Sequence, residues 1–176
     1  MHVAVAAIGV DRPGIAAAVT KVLYEHRCNI EDSRMAILGG QFAMMLIVVL
    51  PPGGRPESLE EALAEPAGKL NLIVSVTPVA EPGPGQAEGI PYVVSVYGAD
   101  RPGIVYRVCS ALAERSINIT DLATHVIEGP TPVYVMIIEA ILPAGSDATA
   151  VESDLHVLAK VLEVDLTVRP VEQETL

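Results

Sequence analysis

Gly9-Val10-Asp11-Arg12-Pro13-Gly14-Ile15 recurs as Gly98-Ala99-Asp100-Arg101-Pro102-Gly103-Ile104, 89 residues further along a chain of 176. The register holds beyond the motif. From Gly9–Asp32 against Gly98–Asp121, 12 of 24 positions are identical, among them Val19/Val108, Leu23/Leu112, Glu25/Glu114, Asn29/Asn118 and Ile30/Ile119. Further on the offset becomes 92, aligning Leu50-Pro51 with Leu142-Pro143, Leu63 with Leu155 and Leu70 with Leu162. Self-similarity at a fixed displacement means a repeated structural unit. Between the copies, Glu81-Pro-Gly-Pro-Gly-Gln-Ala-Glu-Gly89 lacks apolar periodicity and reads as a linker. The expected organisation is therefore one domain over residues 1–80, a linker over 81–89 and a second domain over 90–176.

Each copy reads as strand, helix, strand, strand, helix, strand. Short β-branched runs at Val3–Ile8 and Val93–Tyr97 end at the repeated turn. After it, Ile15, Val19, Val22 and Leu23 fall on one helical face, as do Ile104, Val108, Ala111 and Leu112. Asp11 is expected to cap the first of these helices, with Pro13 in its first turn. Asn29-Ile30 and Asn118-Ile119 open a second strand, and Phe42–Leu50 and Val133–Leu142 form a third. Helices follow over Leu59–Leu70, shortened or broken by Pro66 and Gly68, and over Val151–Leu162. The closing strands are Leu72–Val79 and Val164–Val171, where Pro78 and Pro170 point to strand ends or sheet edges. A βαββαβ order folds as an antiparallel sheet with both helices on one face. The fold class is α+β: two tandem ferredoxin-like domains.

Composition narrows function. With 22 acidic against 11 basic side chains, the net charge is −11, which opposes direct contact with a phosphate backbone. Six aromatic residues and no tryptophan oppose an RNA-recognition sheet of the same strand order. The acidity is uneven: residues 1–80 carry 6 basic and 8 acidic groups, whereas residues 90–176 carry 5 and 12. If a basic protein partner exists, the second copy is where it is expected to dock. Apolar runs are of strand length, short of a membrane span, and a cytoplasmic location is expected. Cys28 and Cys109 read as reduced core residues. His2, His26, His125 and His156 have no metal-ligand spacing, and no nucleophile motif surrounds Ser33 or Ser110, so neither a metal nor a cofactor is expected. Met35, Met44, Met45 and Met136 read as gap-fillers, Tyr24 and Tyr106 as half-buried packing groups, and the acids of Glu57–Glu65 as a solvated helix face.

The repeated turn is where chemistry concentrates. A strand that ends in Gly-x-Asp-Arg-Pro-Gly and enters a helix aims backbone N–H groups outward at the positive end of the helix dipole. Gly14 and Gly103 let a carboxylate approach the main chain, and Arg12 and Arg101 add positive charge.

Asp11-Arg12-Pro13-Gly14-Ile15 and Asp100-Arg101-Pro102-Gly103-Ile104, each followed by an Asn-Ile strand opening within βαββαβ, resemble the ACT domain family of small-molecule-sensing modules, in a tandem arrangement. The resemblance implies that ACT units pair and bind amino acids between the strand-to-helix turn of one and the second-strand opening of its partner. Carried over, the candidate ligand residues are Asp11, Arg12, Gly14, Ile15 and Asn29 in the first copy and Asp100, Arg101, Gly103, Ile104 and Asn118 in the second. An Asn amide and an acid suit the two ends of a free amino acid. The unequal halves, with the hairpin Glu128-Gly-Pro-Thr-Pro132 in the second copy and Pro66-Ala-Gly68 in the first, lead us to expect one site to be degenerate. The implied function is a non-catalytic regulator that senses a small amino acid, glycine or serine-like, and works through a protein partner, with a homodimer expected. The alternative is a regulatory fragment or subunit of an amino-acid or one-carbon enzyme, although 176 residues leave no room for a catalytic domain beside the two units.

Overall fold

The computed structural model describes residues 1–79 and 89–171, and the chain divides into two compact units at residues 83 and 84. Residues 81–88 of the expected linker lie outside the described residues; Gly89 already begins a strand.

The first unit runs β1 (His2–Val10), α1 (Ile15–Glu25), β2 (Asn29–Leu38), β3 (Gln41–Val49), α2 (Pro56–Leu70), β4 (Leu72–Val79), and the second β5 (Gly89–Gly98), α3 (Ile104–Glu114), β6 (Asn118–Ile127), β7 (Val133–Pro143), α4 (Ala148–Leu162), β8 (Val164–Pro170). Their sheets are ordered β2-β3-β1-β4 and β6-β7-β5-β8, and every pairing is antiparallel. This is the ferredoxin-like arrangement, twice.

Alternation explains the layers. Val3, Val5 and Ala7 of β1 and Phe42, Met44, Leu46 and Val48 of β3 form one buried sheet face, and onto it pack Ile15, Val19 and Leu23 of α1 with Leu59 and Leu63 of α2. The second core repeats this with Val94, Val96, Met136, Ile138, Ile104, Val108, Leu112, Val151 and Leu155. Pro78 and Pro170 sit on β4 and β8, which are edge strands, so no central ladder loses a donor.

Four local readings are corrected. Asp11 does not cap α1, and Asp100 does not cap α3: the N-cap positions are Gly14 and Gly103, with no side-chain cap bond. Pro66 does not break α2, which is continuous from Pro56 to Leu70; burial of Leu63 and Ala67 on either side holds the helix together where Pro66 removes one backbone bond. Tyr24 and Tyr106 are not half-buried but 81% and 74% exposed, and among the methionines only Met44 and Met136 fill the cores, Met35 and Met45 being exposed. Cys28 and Cys109 are free, packed at the margins of the two cores, where burial pushes both thiols up.

The repeated glycine that starts the motif has a packing cause. A Cβ on Gly9 would lie 2.6 Å from Leu72 Cδ2 and 2.9 Å from the Asn71 carbonyl oxygen, and one on Gly98 would lie 2.8 Å from Val164 Cγ1. By contrast, Gly68 lies inside α2 with nothing within 4 Å of its Cβ direction. Gly9→Ala is therefore expected to destabilise the first unit by about 1–3 kcal/mol, while Gly68→Ala stabilises it by roughly 0.5–1 kcal/mol. Urea unfolding midpoints of the two variants check the opposite signs.

Candidate functional site

The turn between β1 and α1 is shaped by its last residue. Gly14 has φ +95 and Gly103 φ +97, in the left-handed region that glycine enters without a Cβ penalty. Ile15 and Ile104 directly after them are 1% and 2% exposed, which pins each helix start onto its core. The first helical bonds run from Ala18 N to Gly14 O at 2.9 Å and from Arg107 N to Gly103 O at 3.0 Å. The N–H groups of residues 15–17 and 104–106 precede those bonds, and no side chain caps them. The space where a Cβ of Gly14 or Gly103 would stand is open. Asp11 contributes through its backbone: its N–H donates to the Gly40 carbonyl at 2.9 Å, fastening the turn to the β2–β3 hairpin.

The two copies of the turn differ in charge. Arg12 is exposed and, among the described residues, makes no ion pair. Arg101 donates through Nη1 to the Glu163 carboxylate. Glu163 is the left-handed C-cap of α4, and the matching C-cap of α2 is the neutral Asn71, with φ 54 and 52 respectively. The sheet below differs too. Where the first unit has Phe42, the second has Tyr134; burial pushes its phenol up, the nearby Asp100 carboxylate adds to this, and a hydrogen bond from Thr124 opposes it.

Asn29 and Asn118 lie elsewhere. Asn29 pairs with Val49, which also faces His2, the first residue of β1, whereas the turn follows Val10 at the other end of that strand. Eight residues of strand put about 26 Å between these levels. Asn118 pairs with Ile141, opposite Pro91, and is likewise remote from Gly103. The structure thus brings Asp11, Arg12, Gly14 and Ile15 together, and their counterparts Asp100, Arg101, Gly103 and Ile104, but does not bring either asparagine to the turn of its own unit. Both asparagines are exposed and immediately precede a β-bulge, between Ile30 and Asp32 and between Ile119 and Asp121. At the first bulge His2 Nε2 lies 3.0 Å from Glu31 Oε2, a pair that sequence reading missed, as it missed Glu163, Tyr134 and Thr124.

Among the described residues no cluster of three or more His, Cys, Asp or Glu side chains is placed to hold a metal, and no helix is long and apolar enough to cross a membrane.

Comparison with known proteins agrees with this architecture. The ACT domain family profile matches residues 2–77 and again residues 92–155. The glycine cleavage system transcriptional repressor of Escherichia coli is 30% identical over 161 residues, covering 89% of this chain and 83% of that protein. A solved structure of a protein of unknown function from Galdieria sulphuraria superposes with a TM-score of 0.82 at 28% identity, covering 97% of this chain and 98% of that one. A candidate glycine cleavage system transcriptional repressor shares the fold with a TM-score of 0.73 at 23% identity, covering 98% of each chain. With two family matches that together span most of its length and a relative similar over 89% of it, the chain belongs to the ACT domain family, as a tandem pair of ACT domains.

Proposed function

We propose that this protein is a non-catalytic regulator that senses a small amino acid, glycine or a serine-like molecule, at its strand-to-helix turns and passes the signal to a protein partner that governs transcription in amino-acid metabolism. The observation that carries the reading is the duplicated helix start: an open left-handed glycine, three uncapped N–H groups and an arginine beside them. A carboxylate there accepts from the N–H groups at the positive end of the helix dipole. The ammonium end needs an acceptor, and Asn29 or Asn118 suits it. Since each asparagine stands at the far end of its own sheet, a ligand touching both groups draws them from different ACT units, in keeping with the pairing the family resemblance implies.

The regulatory side of the proposal draws on the Escherichia coli relative, named for repression of the glycine cleavage system. The net charge of −11 favours action through a protein over direct contact with DNA. A homodimer is part of the same proposal.

Thermal unfolding with each common amino acid tests the sensor reading. The true ligand, at 100 times its dissociation constant, adds about 2.7 kcal/mol of stability; no shift with any of them rejects the reading. The charge difference between the turns makes a second, sharper expectation. Arg12→Ala should weaken binding by roughly 10- to 100-fold, as expected for a lost hydrogen bond to a charged group of about 1.5–3 kcal/mol. Arg101→Ala should change little, because Glu163 already holds that guanidinium, and Glu163→Asn should strengthen binding at the second turn. Calorimetric titration of the three variants, with stoichiometry, checks the order.

A further inference from the structure

Each unit carries a shallow groove between its two helices, about 300 Å³ in the first and about 340 Å³ in the second. The helices correspond residue for residue, α1 to α3 at offset 89 and α2 to α4 at offset 92, so the first groove serves as an internal control for the second. In the first, the walls are closed by ion pairs: Lys69 with Glu65 at 2.6 Å and Lys21 with Glu25 at 3.7 Å. In the second, the positions of Glu65 and Lys69 hold Val157 and Val161, 59% and 63% exposed, and the position of Ala17 holds Tyr106. α3 and α4 are tied by Arg115 to Asp154, and Arg101 before α3 pairs with Glu163 after α4. The two helices therefore run antiparallel, with Tyr106 level with Val161. Two exposed valines one turn apart thus replace the salt-bridged Glu65–Lys69 pair of the sister unit, and an exposed tyrosine replaces its Ala17. Such a patch marks an interaction surface.

The charges at the groove say what covers it. Arg107 and Glu114 both line it, both are exposed, and among the described residues neither has an ion-pair partner. They stand seven residues apart on α3, about 10.5 Å along its axis and on nearly the same side. Midway lie Ser110 and Ala111, small enough for close approach. A two-fold axis passing there sets α3 antiparallel to its own copy, with Arg107 of each chain against Glu114 of the other. In such an isologous contact one patch must complement itself, and this one does in charge and in apolar character. The first unit has no such pattern, since the counterpart of Arg107 is Ala18.

We infer that the α3–α4 face of the second unit is a homodimer interface, occupied by the same face of a second copy of this chain. The inference gives the homodimer of the proposed function its interface and rests on that part of the reading, while the amino-acid site lies outside this face.

Sedimentation equilibrium of the full chain from micromolar to millimolar concentration tests it. The wild type should show a reversible monomer–dimer equilibrium. Val157→Glu with Val161→Lys, which installs the first unit's own i,i+4 pair and keeps the helix sound, should raise the dissociation constant about tenfold or more with unchanged circular dichroism. Arg107→Glu should weaken the dimer comparably, and adding Glu114→Arg should restore it. A chain that stays monomeric throughout, leaving the face to another protein, overturns the inference. So does a dimer that these changes leave untouched, or a loss with Arg107→Glu that the charge swap does not repair.

Discussion

Two glycines held at φ of +95 and +97 are the constraint on which each unit depends. Just before Gly14 and Gly103 the chain leaves a central strand and must enter a helix whose first residue is buried, a reversal within four or five residues. A left-handed residue makes that turn, and only glycine occupies it without strain. The consequence for function is direct. Because the glycine itself is the N-cap, no Ser, Thr or Asp side chain satisfies the first N–H groups, and the space in front of them stays open. The same geometry that starts the helix leaves its first N–H groups without a side-chain cap and facing open space.

The strand register supplies the second constraint. β1 and β2 are both antiparallel to β3 and hence parallel to each other, so the turn after β1 and the opening of β2 must lie at opposite ends of the sheet. No side-chain movement closes about 26 Å. One amino acid cannot span both groups within a single unit. Within the chain the two turns have diverged: among the described residues Arg12 makes no ion pair, while Arg101 pairs with Glu163. One residue at a helix C-cap, Asn71 or Glu163, accounts for the difference in charge.

Much of this was legible in the sequence because it is local or periodic. The repeat revealed two units, the spacing of Ile15, Val19, Val22 and Leu23 marked the buried face of α1, and Pro78 and Pro170 marked edge strands. The failures are equally physical. Asp11 has the right chemistry for a cap, but a side chain caps from the residue that directly precedes the first helical one, and Gly14 takes that place. Pro66 carries a local cost that is visible in the sequence, and the burial of Leu63 and Ala67 outweighs it. Tyr106 sits in an amphipathic helix pattern, yet its position falls outside the core stripe. The Arg101–Glu163 pair spans 62 residues, and no periodicity reports a contact of that range; only the comparison of Glu163 with Asn71 at offset 92 hints at it.

The central claim, that the open helix starts receive the carboxylate of an amino acid, is tested most directly by following the backbone amide resonances of residues 15–17 and 104–106 during titration with glycine and serine. A saturable shift of these amides, larger for Ile15, Ala16 and Ala17 than for Ile104, Val105 and Tyr106, is what the account predicts. Amides that stay fixed while an amino acid binds elsewhere in the protein would contradict it.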